Sequence, residues 1–222
     1  MSTTDGPQSS ATLRERLSGP VLTVARGLLG STLVVVEVAI RVTEVEAYGG
    51  AEDPGSHAFR GPTRRSKIMF GEPGIAYVYF SYGMHHCLNV VCGPVGTAAA
   101  VLIRAGEVTA GEAAARGRRD RGRARPHPYR DLARGPARLA SALGVDLRHN
   151  GADLCQLGGP VQLGLGTPVG VSACLTGPRV GVSGPGGDGQ AYPWRFWLAN
   201  EPTVSAYRPA VRTRPDSPVP MP

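Results

Sequence analysis

The chain has 222 residues, 41% of them hydrophobic, enough to bury a full core in one sizeable domain. No run approaches the roughly 18 consecutive apolar residues that span a bilayer, and the polar start MSTTDGPQSS has no signal-peptide pattern, so a soluble, cytoplasmic protein is expected. The net charge of +7 calls for a polyanionic partner, and the four cysteines, without a C-x-x-C pair, read as reduced thiols in or near the core.

In chain order, residues 1–11 and 211–222 lack apolar periodicity and read as tails flanking one domain over 12–210. Residues 20–29 read as a short helix, with Pro20 in its first turn and Gly30 as its stop. The β-branched run 32–47 reads as strand or hairpin. Residues 49–74, rich in Gly, Pro, Arg and Ser, read as a long loop of the kind that carries function. Strands over 75–81 and 84–92 flank a tight Tyr82-Gly83 turn, and a third strand covers 98–104. Helices are expected at 107–118 and 136–143, the second closed by Gly144, and a last strand pair at 179–182 and 195–198. The arginine-rich segment 116–130 fits a solvated loop and a phosphate-contacting one equally well. The glycine-rich 184–189 lacks both a GK[ST] and a strand-to-helix setting, and reads as a mobile connection.

In TEVEAY, Glu44 and Glu46 stand two apart on a strand, so both carboxylates project from one face. Glycoside hydrolysis needs at least one carboxylate to activate water or support an oxocarbenium-like sugar, and it can use a second as the acid. Tyr77 and Tyr79 share a strand face, while Tyr82 sits at the hairpin tip, where core aromatics rarely lie. An aromatic at that place either packs on its own loop or wedges between base steps to fill the space of an extruded nucleotide. The pair His85-His86, with Cys87 or His57, raises a metal site; adjacent strand residues point to opposite faces, however, and the spacing matches no zinc pattern.

Several strings together resemble one family: LLG at 28–30, TEVEAY at 43–48, the run HAFRGPTRRSKIMFGEPGIAYVYFSYGMHHCLNVV from His57 to Val91, VLIRA at 101–105, ARGPARLASALG at 133–144, then PRVGVSG and PWRFW. In this order, and across most of residues 20–205, the chain is similar to the alkyladenine (3-methyladenine) DNA glycosylases, also called methylpurine-DNA glycosylases. The resemblance implies a single mixed α+β domain, a curved antiparallel sheet flanked by helices with a protruding β-hairpin. It departs from the family at STLVVVEVAIRVTEVEAY, which is shorter and lacks the usual glycine-bearing turn.

By the same resemblance, Glu46 is the general base, Arg104 helps hold the attacking water, and the Val182 carbonyl does likewise. Tyr48, His57 and Tyr79 form the base pocket, Asn89 discourages guanine by clashing with its exocyclic amine, and Tyr82 is the intercalating wedge. Thr63, Arg65 and Arg138 fall at or near positions that grip phosphates. Aromatic faces suit an electron-poor alkylated purine, which leaves as a neutral base. The implied enzyme needs no metal or organic cofactor, acts as a monomer on double-stranded DNA containing damaged purines, and leaves an abasic site. Strand cleavage through a Schiff base requires an amine, and Lys67 is the only lysine. Two rival readings are a damaged-DNA-binding protein without catalysis, which has no need of Glu46 with Arg104, and a metal-dependent nuclease built on Glu44, Glu46 and His57.

Overall fold

The β-branched run after Gly30 folds back on itself at Val36 and Glu37, giving a hairpin of β1 (Thr32–Val35) and β2 (Val38–Tyr48). In the computed structural model, which describes residues 10–81 and 83–210, β2 is the axis of the whole sheet. One of its edges pairs along its length with β5 (Ala100–Ala110). The other edge pairs first with β1 and then, at Glu44–Glu46, with β8 (Arg195–Leu198). The β2/β5 ladder shifts register on both sides of Glu44, a bulge that bends the strand where it passes from β1 to β8. Flanked on both edges, β2 buries every side chain from Thr43 to Ala47.

The sheet continues outward from β5 through β4 (His85–Val91) to β3 (Ala76–Ser81), and from β1 to β6 (Gln162–Gly164); β7 (Cys174–Gly177) lies beyond β8. All pairings are antiparallel, and the curved sheet does not close. Among the described residues, four α-helices accompany it: α1 (Ser10–Leu17), α2 (Val21–Gly27), α3 (Glu112–Arg119) and α4 (Pro136–Leu143). The fold is thus the expected α+β domain. Helix α4 buries Leu139, Ala140, Ala142 and Leu143 in the main core and ends, as expected, on Gly144 at φ 78°. The long loop 49–74 has a small core of its own, with Ala58 and Met69 packed on Tyr77, Val91, Ala98 and Ala100.

Four expectations are corrected. The helix expected at 107–118 starts at Glu112, because Glu107 and Val108 pair with Arg41 and Ile40 of β2 and prolong the strand that 98–104 only began. Gly111, at φ 71° and tight against the Glu37 carbonyl, separates strand from helix. The strand expected at 179–182 lies earlier, as β7, and Pro178 ends it. The glycine-rich 184–189, expected as a mobile connection, is pinned by the Gly186 carbonyl, which accepts from the Arg179 guanidinium. Helix α1, within and beyond the expected tail, has no counterpart in the sequence reading; it buries Leu13 and Leu17. The tail assignments for 1–9 and 211–222, and the wedge assigned to Tyr82, lie outside the described residues. All four cysteines are free thiols, three of them buried. Among the described residues, no helix is long and apolar enough to cross a membrane.

Candidate active site

The end of β2 delivers Glu46 and Tyr48 to the floor of a cavity of about 570 Å³. Strand β5 contributes Leu102 and Arg104, β4 contributes Cys87 and Asn89, and β3 contributes Tyr77 and Tyr79. The long loop closes one side with His57 and Arg65, and the segment after β7 closes another with Val180 and Val182.

Glu46 is fully buried. Its Oε1 accepts from the Val180 N–H at 2.7 Å and lies 3.3 Å from Arg104 Nη1, and its Oε2 accepts from the Tyr48 hydroxyl at 2.8 Å. A carboxylate offers about four acceptor directions. Three are taken, so Glu46 keeps capacity to accept from a water inside the cavity. Burial works against the charge on Arg104, but Glu46 and Glu44 outweigh it and hold the guanidinium above its ordinary range. Burial first, and then the Glu46 charge, push the Tyr48 phenol well up, so it serves as a donor.

The other strand carboxylate is placed differently. Glu44 Oε1 accepts from Arg104 Nε at 3.0 Å, Arg195 Nε at 2.6 Å and the Ser205 hydroxyl at 2.9 Å, and Oε2 accepts from the Ser205 N–H at 2.7 Å. Glu44 thus accepts four hydrogen bonds from the protein, three of them on Oε1, and it does not line the cavity. Among the described residues, no three His, Cys, Asp or Glu side chains converge to hold a metal ion.

The walls are aromatic. His57 meets Tyr79 edge-on with ring centroids 4.8 Å apart, and its Nδ1 shares a 2.9 Å hydrogen bond with the Tyr77 hydroxyl. Although its outer edge reaches solvent, packing against these rings, and next the Arg65 charge, lower the imidazole to about 4. It is neutral at pH 7. Arg65 lies 4.4 Å over the Tyr79 ring, at the mouth. Asn89, paired with Tyr77 across β3 and β4, is fixed by donating to the Tyr77 carbonyl at 2.9 Å.

Eight residues given a role by the resemblance therefore line one cavity: Glu46, Tyr48, His57, Arg65, Tyr79, Asn89, Arg104 and Val182. Two lie outside it. Thr63 exchanges hydrogen bonds with Ser66, closing the turn that carries Arg65. Arg138, on α4, borders two neighbouring surface hollows and sits 3.8 Å from Asp131. Of the segment 179–182, the backbone group that meets the carboxylate belongs to Val180; the Val182 carbonyl lies against Gly187.

The sequence reading missed the fully buried Arg179–Asp53 pair, whose Nη1–Oδ2 distance is 2.6 Å, and the support of Glu44 by Arg195 and Ser205. These partners are separated by 126 to 161 positions, and no local pattern links them. The one available signal was PRVGV, an arginine set among apolar and glycine residues.

A sequence profile of the methylpurine-DNA glycosylases matches residues 15–202. Among relatives, a Streptomyces avermitilis protein is 53% identical over 207 residues, covering 91% of this chain and 94% of its own length. A Leifsonia xyli protein is 54% identical over 200 residues (88% and 92%), and one from Frankia casuarinae is 51% identical over 205 (88% and 92%). All three carry the provisional name 3-methyladenine DNA glycosylase. With an aromatic cavity lined by the buried carboxylate of Glu46, the chain belongs to the methylpurine-DNA glycosylase family, hydrolases of N-glycosyl bonds.

Proposed function

We propose that this protein is a monofunctional DNA glycosylase of base excision repair that takes an alkylated or deaminated purine out of the duplex and hydrolyses its N-glycosidic bond with a Glu46-activated water. The observation that carries the reading is the contrast at the cavity floor. Glu46 is held by Tyr48, Val180 and Arg104 yet keeps acceptor capacity toward the cavity.

In this reading the flipped base lies among Tyr48, His57 and Tyr79, with Asn89 against its edge. Glu46 takes the proton of a water as its oxygen attacks the anomeric carbon, and Arg104 orients that carboxylate. An alkylated purine carries positive charge, so the C–N electron pair leaves with a neutral base and little acid help is required; a deaminated purine is neutral, so it leaves with the pair as an anion that takes its proton from water. The neutral imidazole of His57 suits such a cationic guest. Tyr82 would occupy the vacated stack. Arg65 and Arg138, as exposed cations, would contact phosphates, with Thr63 ordering the turn beneath Arg65. The enzyme would act as a monomer where the DNA lies, in the cytoplasm or on the nucleoid, and leave an abasic site. No lysine lies on the cavity wall to form a Schiff base.

The test is base release from a duplex carrying a single hypoxanthine or ethenoadenine, in EDTA, followed by alkali, for the wild type and Glu46→Gln. Release by the wild type and a loss of about a thousandfold in the variant is expected. Release by neither, with lesion-specific binding retained, would instead establish a damage-binding protein. A covalent adduct trapped by borohydride would overturn the monofunctional assignment.

A further inference from the structure

The Arg179 guanidinium uses all five of its donors inside the protein. Nη1 and Nη2 each reach an Asp53 oxygen at 2.6 Å, Nη1 also donates to the Ala47 carbonyl at 3.0 Å, and Nε and Nη2 converge on the Gly186 carbonyl at 3.2 and 2.6 Å. Asp53 in turn accepts from the Gly49 and Gly55 N–H groups at 3.0 and 2.9 Å. Neither side chain is accessible to solvent, and neither lines the cavity.

The contacts of this pair converge on the groups that hold Glu46. Ala47, whose carbonyl Arg179 grips, stands between Glu46 and Tyr48 in the chain. The guanidinium plane lies 4.7 Å from the centroid of Tyr48, whose hydroxyl donates to Glu46. The residue after Arg179 supplies the N–H that donates to the other Glu46 oxygen. The Asp53 end ties down the start of the loop that carries His57.

We propose that Arg179 and Asp53 are positioning residues that fix Tyr48 and the Val180 N–H on Glu46, and thereby set the rate of base release. A buried ion pair gains little net stability over apolar packing of the same volume. Orientation is therefore the more economical account of five directed donors at this place. The inference rests on Glu46 being the water-activating base. An error of about 1 Å in such a group costs on the order of a hundredfold in rate.

The test compares the wild type, Glu46→Gln, the double variant Asp53→Asn with Arg179→Met, and Arg179→Lys. The double variant removes both charges together, keeps much of the volume and leaves an amide oxygen for the loop N–H groups. Arg179→Lys keeps a counter-charge for Asp53 but loses the fork and the plane, and it serves if the double variant does not fold. Single-turnover base release, affinity for the lesion duplex and thermal melting are read for each. The expected result is a folded variant with near-native affinity and a rate lower by about a hundredfold. The acid limb of its rate–pH profile should move to higher pH, because the carboxylate loses a donated hydrogen bond. A merely structural role lowers the melting temperature without moving that limb. A folded variant with the wild-type rate and limb overturns the inference and leaves the proposed function intact; a wild type that releases no base overturns the function itself.

Discussion

Two carboxylates two residues apart on one strand share one guanidinium, are equally buried, and face different surroundings. At Glu44, Arg104, Arg195 and Ser205 supply four hydrogen bonds away from the cavity. At Glu46, one acceptor direction stays open toward an aromatic cavity. What distinguishes the candidate base here is not burial: Glu44, equally buried, takes a second guanidinium from Arg195, whereas Glu46 keeps acceptor capacity facing a space that admits a ligand.

The largest expected effects break this comparison directly. Glu46→Gln should cost about a thousandfold in base release with little loss of melting temperature, because Gln still offers an oxygen to the Val180 N–H. Glu44→Gln should do the reverse. It leaves the buried Arg104 and Arg195 with one carboxylate fewer, a change of about 3–5 kcal/mol when a buried ion pair is broken, measured by chemical denaturation. Should Glu44→Gln melt like the wild type and release no base, the division of labour between the two would be wrong.

A smaller effect separates the cavity floor from its wall. His57, held low by its packing and by Arg65, should titrate in the folded protein near 4, against an ordinary 6.5. The unfolded chain therefore binds the proton first. The stability contribution is intact above pH 6.5 and is lost as pH falls from there toward 4. Imidazole NMR shifts followed across that range check the midpoint, and Arg65→Ala should raise it. A midpoint at the ordinary value would mean that the wall is solvated like an open surface.

Much of this arrangement was legible in the sequence wherever one element carried its own pattern. The β-branched run gave the hairpin, Gly144 gave the stop of α4, and TEVEAY placed two carboxylates side by side. Where sequence reading failed, tertiary pairing outweighed local preference. Residues 107–110 adjoin an alanine-rich helical stretch, yet Glu107 finds Arg41 across the sheet at 2.8 Å, and the strand continues. The supports of the two carboxylates, Arg179 with Asp53 and Arg195 with Ser205, come from remote segments and obey no spacing. The resemblance to the family supplied the site residues as a set. The geometry adds a contact that the sequence did not suggest, the Val180 N–H on Glu46, and it shows that Thr63 braces its own turn.

The smallest expected effect lies at the opposite end of β2. The hairpin turns over only Val36 and Glu37, and with no glycine in the turn, Val36 takes φ 53°, a left-handed conformation that β-branched residues avoid. Such strain costs on the order of 1–3 kcal/mol. Glycine is the residue preferred at the first position of a two-residue turn with one positive φ, but it brings back part of that cost as chain entropy, roughly 0.5–1 kcal/mol. Val36 is almost fully exposed, so Val36→Gly gives up no buried contact. The variant should gain about 1 kcal/mol by denaturant titration. Its base-release rate should stay unchanged, because eight residues of β2, from Val38 to Val45, separate the turn from Glu46. A rate that falls as stability rises would show instead that strain at the hairpin reaches the cavity floor, and that the two carboxylates differ in their coupling to the turn as well as in their hydrogen bonds.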